Sequence, residues 1–161
     1  MSSRLPLVLC AEDEESDAIF LKLAFAKEKI ANPLVIVKDG REAVDYLSGT
    51  PPYDDRQLNP LPALIVLDLK MPRLSGFDVL AWLGTRTDLA PIPVVILSSS
   101  MADADMRKAR QLGAKEFIVK PNNPNEYSRI VRNLQALWLA MPTPGRSLPP
   151  ALVSLPAARR R

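Results

Sequence analysis

Four short, mostly apolar runs in this chain end in polar residues that could do chemistry together. Glu12 and Asp13 follow residues 5–11, Asp68 follows 63–67, Ser98 follows 94–97 and Lys120 follows 116–119. Carboxylates that converge cannot all ionise cheaply, because like charges raise one another's pKa. A lysine and a divalent cation are the natural counter-charge. The chain has no histidine and a single cysteine, so the available ligands are oxygens and the cation they suit is Mg²⁺ or Mn²⁺ rather than zinc. A hard cation that keeps some of its waters can bridge a carboxylate to a phosphoryl oxygen, which leaves Ser98 and Lys120 to bind the remaining oxygens. The missing histidine also excludes a histidine base and a phosphohistidine carried by this chain.

These residues converge only if the runs are parallel strands. The central run, 63–67, is bounded by Pro62 and Pro72 and has no helical spacing, so it reads as a strand buried on both faces. Ligand crevices of parallel sheets lie at the carboxyl ends of the strands, where Asp68 stands. Taken alone, Asp68 reads equally well as a strand-terminal turn residue. The first strand at 5–11 gives way to a helix ending near Ile30, with acids at its start, lysines near its end and Ile19, Phe20, Leu23 and Ala24 as its apolar side. A second strand spans 34–37, the Asp39-Gly40 turn follows, and a short helix covers 41–47. Residues 48–62 hold four prolines and form a long loop. A helix over 75–83, a strand over 94–97, a helix over 103–112 capped by Gly113 and a strand over 116–119 complete the alternation. The last helix carries Tyr127, Ile130, Val131, Leu134, Leu137, Trp138 and Met141 at steps of three and four. Strand and helix alternate five times, so the expected fold is α/β, a doubly wound parallel sheet with right-handed crossovers and helices on both faces.

At 161 residues, 47% apolar and 24% charged, the chain suits one soluble domain. The domain is expected over 1–141, followed by a proline-rich basic tail at 142–161 that is too short to fold as an output module. No apolar run is long enough to span a bilayer, and the first ten residues are too short on apolar character for a secretory signal, so the expected location is the cytoplasm. The net charge of +3 belongs to the tail. Its four arginines are unopposed, while the rest of the chain carries 17 basic and 18 acidic residues, which excludes a basic nucleic-acid surface on the body. Cys10 lies inside an apolar run and reads as a buried structural thiol.

The set Glu12-Asp13, Asp68 within LDLKMP, Gly76, Ser98 and Lys120-Pro121, with 30 residues from Asp68 to Ser98 and 22 from Ser98 to Lys120, resembles the receiver domains of two-component response regulators. The likeness covers residues 5–140 and is specific as a set, although each motif alone is weak. It implies a flavodoxin-like five-stranded sheet in the order 2-1-3-4-5. It also implies a phosphoryl group accepted on Asp68 from a partner histidine kinase, with the protein acting as a phosphoacceptor rather than as an enzyme on a separate substrate. Mg²⁺ or Mn²⁺ would then be held by the Asp13 and Asp68 side chains, by Glu12 through a water and by the Lys70 carbonyl. Ser98 and Ser99 would serve the phosphate, and Lys120 would pair with Asp68, with a cis bond to Pro121. Phe117 takes the place of the family's switch aromatic and, lacking a hydroxyl, could move only by packing. Lys70 and Ser100 would flank the site and bear on how fast the phosphoryl group is lost.

The proline-bearing loop at 48–62 and the Leu137-Trp138-Leu139 ending make the chain similar, more narrowly, to the stand-alone regulators that partner bacterial and cyanobacterial phytochrome kinases. Such receivers often pair through their fourth and fifth helices, which nominates Ala109, Leu112, Leu134 and Trp138 for a homodimer face, with 151–155 as a reaching arm. Trp138 reads equally as a core tryptophan, and Phe77 and Trp82 as helix packing. Other functions compatible with the same residues are a phosphorylation-independent adaptor acting through the tail and a phosphate sink.

Overall fold

Alternate residues of a strand point to opposite sides of a sheet, so a run that is apolar at every position needs cover on both faces. β1 (Val8–Ala11), β3 (Leu64–Leu67) and, up to its terminal serine, β4 (Val94–Ser98) are such runs, and all three are buried throughout. They form the centre of the sheet in the computed structural model, which describes residues 4–139. β2 (Leu34–Val37) and β5 (Glu116–Val119) close its edges, all pairs are parallel, and the order is β2-β1-β3-β4-β5, as expected. The proposed tail at 142–161, its arm at 151–155 and Met141 lie outside the described residues. No helix among the described residues is long and apolar enough to cross a membrane.

Helices cover the two faces. On one, Leu9, Ile65, Leu67 and Ile96 of the sheet meet Val44 and Leu47 of α2 (Gly40–Ser48), Val79 and Leu80 of α3 (Gly76–Leu83) and Ala109 of α4 (Asp103–Gln111). On the other, Val8, Cys10, Val66, Val95 and Leu97 meet Leu21 and Phe25 of α1 (Glu15–Lys27) and Ile130, Val131 and Leu134 of α5 (Tyr127–Leu134). Cys10 is buried there as a free thiol, and burial pushes its pKa well above the ordinary thiol range. The loop between α2 and β3 has no regular structure. It is tied down by the Arg56 guanidinium, which donates to the carbonyls of Tyr46 and Leu47 at 2.8 Å each, and by the Tyr46 hydroxyl, which donates to the Pro60 carbonyl at 2.9 Å.

Two helices differ from their sequence patterns. In α1 the buried residues are Ala18, Leu21, Ala24 and Phe25, while Ile19 and Leu23 face solvent. Apolar residues ring this helix, so periodicity does not single out a face, and the small Ala18 and Ala24 let the backbone approach the sheet. The last helix is not one regular α-helix. A 3₁₀ turn (Pro124–Glu126) leads into α5, and a π turn (Gln135–Leu139) follows it. The wider turn moves burial from Leu134 to Leu139, five residues on, leaving Leu137 and Trp138 half-buried.

That packing takes two of the four residues nominated for a dimer face into the core. Ala109 and Leu134 are 0% and 1% exposed and belong to the core, because α4 and α5 spend these residues against the sheet. Leu112 and Trp138 are partly buried against the same layers, and the Trp138 indole N–H donates to Glu116 at 3.3 Å. Phe77 and Trp82 pack on the core from α3, with the Lys108 ammonium 4.4 Å from the Phe77 ring centre and the Arg86 guanidinium 5.1 Å from that of Trp82.

Candidate functional site

The strand register brings the polar residues together. Ala11 pairs with Leu67 across β1 and β3, so the next residues, Glu12 and Asp68, emerge side by side at the carboxyl edge. Their backbones continue the ladder for one step: Asp68 N–H donates to the Ala11 carbonyl at 3.1 Å and Glu12 N–H to that of Val37 at 2.9 Å. At the other side, Ser98 pairs with Val119, and Lys120 N–H donates to the Ser98 carbonyl at 2.8 Å. Ser75 caps α3 with a reciprocal Ser75–Asp78 box, and Gly76 lets that helix begin directly against β3. A Cβ at Gly76 would run into the carbonyl oxygen of Asp68 and the Cα of Leu69.

Oxygens of Glu12, Asp13 and Asp68 all lie within 4.8 Å of one another, with Asp13 exposed and the other two buried. Lys120 reaches into this cluster. Its Nζ stands 2.8 Å from Glu12 Oε1, 2.9 Å from Asp68 Oδ2 and 2.8 Å from Asp17 Oδ2. Burial alone would lower the ammonium pKa, but the hydrogen bonds to Asp17, Glu12 and Asp68 outweigh it and hold the pKa above the ordinary lysine value. Glu12 is pushed up to about 7, first by burial and against the Lys120 hydrogen bond, with the Asp68 charge adding to the rise. One ammonium thus meets three carboxylates, with the exposed Asp13 close to two of them, an excess of negative charge that a divalent cation would relieve. The donor set is all oxygen, so Glu12, Asp13 and Asp68 fit a hard cation.

The remaining candidates hold specific places. Lys70 N–H points at Asp68 Oδ1 from 3.4 Å. Ser98 is fully buried, and its hydroxyl accepts the Ser100 N–H at 3.2 Å, while Ser99 is exposed on the rim. The Ser100 hydroxyl donates to Asp105 at 2.6 Å and so ties the β4–α4 loop to the first turn of α4. Phe117 is partly buried on β5 against the α4 side of the core. The Lys120–Pro121 bond is not cis; among the described residues the cis bond is Pro51–Pro52. A trans bond is the intrinsically favoured form, and with it Lys120 already reaches its three carboxylates.

Asp17 is the site residue that sequence reasoning missed. It stands in the first turn of α1. Among acids expected at any helix N-terminus it did not stand out. Nearby, the Tyr127 hydroxyl is buried with no hydrogen-bond partner among the described residues, and burial, then the Asp17 charge, raises its pKa above the ordinary phenol value.

A five-stranded α/β sheet in this order, with acids at the ends of its first and third strands and a lysine at the end of its fifth, is the architecture of a two-component signalling receiver. Residues 8–132 match the response regulator receiver domain, and the chain belongs to that family. It is 29% identical over 133 residues to the response regulator Rcp1 of Synechocystis sp., covering 83% of this chain and 88% of Rcp1. The Mn²⁺-bound form of Rcp1 has a solved structure that superposes with a TM-score of 0.76, covering 89% of this chain and 99% of that one. The phosphorylated cyanobacterial phytochrome response regulator RcpA is 31% identical with a TM-score of 0.79, over 86% and 97% of the two chains. A response regulator in red light signalling of R. palustris, RPA3017, is 35% identical with a TM-score of 0.80, over 90% and 99%.

Proposed function

We propose that this receiver accepts a phosphoryl group on Asp68 from the phosphohistidine of a sensor histidine kinase. The observation that carries the reading is the placement of a buried Asp68 carboxylate 2.9 Å from Lys120 Nζ, in one cluster with Glu12 and Asp13. In the transfer, an Asp68 carboxylate oxygen attacks phosphorus in line. The new P–O bond forms as the P–N bond to the kinase imidazole breaks, and the electron pair of that bond stays on the imidazole nitrogen. Asp13 and Asp68, with Glu12 through a water and the Lys70 carbonyl, would hold Mg²⁺ or Mn²⁺, which would supply positive charge to offset that of the carboxylates and the incoming phosphoryl group. Lys120 neutralises phosphoryl oxygens, and Ser98, aided by Ser99, turns to donate its hydroxyl hydrogen to a phosphoryl oxygen. That movement carries the signal to Phe117 and the β4–α4 loop by packing.

The likeness to phytochrome response regulators supports a phytochrome-type kinase as the partner. Incubation with Mg²⁺ and acetyl phosphate should add one phosphoryl group by intact-mass analysis, and Asp68→Asn should add none. A wild-type chain of unchanged mass would refute the reading. Transfer from autophosphorylated light-regulated kinases, measured beside other kinases, tests the partner separately.

A further inference from the structure

An ammonium has three hydrogens to donate, and Lys120 faces three carboxylates with them: it donates to Asp17 and Asp68 and forms a third ion pair with Glu12 at 2.8 Å. Two of these acceptors, Glu12 and Asp68, also belong to the cluster with Asp13 that fits a cation; Asp17 does not. A cation drawn to that cluster, or a phosphoryl group on Asp68, competes with Lys120 for Glu12 and Asp68 but leaves the Asp17 contact untouched. Asp17 is also well anchored. It sits in the first turn of α1, next to Ala18 and one turn before Leu21, both packed on the core. Its side chain is 25% exposed, against 8% for Lys120, so it forms the outer wall of the lysine's pocket.

We propose that Asp17 is a positioning residue for Lys120, holding the ammonium beside Asp68 while Glu12 and Asp68 are engaged by a cation. The inference rests on the reading of Asp68 as phosphoacceptor. Without Asp17, the lysine has a hydrogen to spare and settles fully on Glu12 and Asp68, the carboxylates a cation needs. It then competes with the cation and is less well placed for phosphoryl oxygens.

Two measurements test this. In metal-free, unphosphorylated protein, the Lys120 ammonium should give a ¹H–¹⁵N resonance, because burial and its carboxylate partners slow its exchange with water. Asp17→Asn should broaden or remove that signal, and Asp17→Glu, which keeps the charge, should restore it. With acetyl phosphate, Asp17→Asn should take up the phosphoryl group about tenfold more slowly, the worth of one charge-assisted hydrogen bond. It should also need more Mg²⁺ to reach half-maximal rate, with Asp17→Glu recovering most of the loss. Melting curves of both variants report on folding. An unchanged Lys120 resonance in Asp17→Asn overturns the proposal, as does a changed resonance with wild-type uptake kinetics, which would make the ion pair structural only. A wild-type protein that takes up no phosphoryl group refutes the phosphoacceptor reading instead, and the resonance still decides whether Asp17 holds the lysine.

Discussion

At the scale of single residues, the site is governed by an excess of buried negative charge, and Glu12 bears the clearest mark of it. Its carboxyl keeps its proton in the folded protein to about pH 7, while an unperturbed glutamate releases it near 4.5. Between those values the folded state binds more protons than the unfolded one, so folding stability falls as pH rises through that window and is fully present below it. Urea titrations in chelator should show this decline in the wild type, and Glu12→Gln should flatten it; a wild-type stability that climbs from pH 4.5 to 7 would contradict a carboxyl raised by burial. The individual acids, Ser98 and Lys120 were legible in the sequence because each ends an apolar run, a local signal. Asp17 was not, because its role depends on where α1 lies over the sheet end, and no local pattern separates it from an ordinary acid in a helix's first turn.

At the scale of elements, the strands were readable but the buried faces of two helices were not, for two different physical reasons. A strand buried on both faces must be apolar at every position, as in Leu64–Leu67, whereas a helix shows its buried face only if its other face is polar. The first helix has apolar residues all round, which hid that Ala18, Leu21, Ala24 and Phe25 are the buried set. The end of the last helix follows regular steps in the sequence, yet the π turn over Gln135–Leu139 turns Leu139 inward in place of Leu137. The two geometries differ in measurable stability. With the π turn, Leu139→Ala should cost about 2–4 kcal/mol in chemical denaturation, and Leu137→Ala about 1 kcal/mol or less. The reverse ranking would restore the uninterrupted helix that the spacing alone predicts.

At the scale of the whole molecule, the two apolar layers stabilise the sheet from both faces and the carboxylates gather at one end of it, so charge and core act on the same folding equilibrium. Glu12 and Asp68 extend directly from the two central strands β1 and β3, and Lys120 joins them to the edge strand β5. Unfolding scatters these groups along the chain, so a cation held by Glu12, Asp13 and Asp68 binds the folded state alone and stabilises it by mass action. At a free concentration a hundredfold above its dissociation constant, that amounts to about 2.7 kcal/mol, enough to raise the melting temperature by several degrees in a domain of this size. The wild-type protein should therefore melt higher in Mg²⁺ or Mn²⁺ than in chelator, with the increment growing logarithmically with cation concentration. Asp13→Asn should shrink it, because this exposed acid can be neutralised without disturbing the core. Equal melting temperatures with and without the cation across that range would show that the cluster is balanced by Lys120 and protons alone.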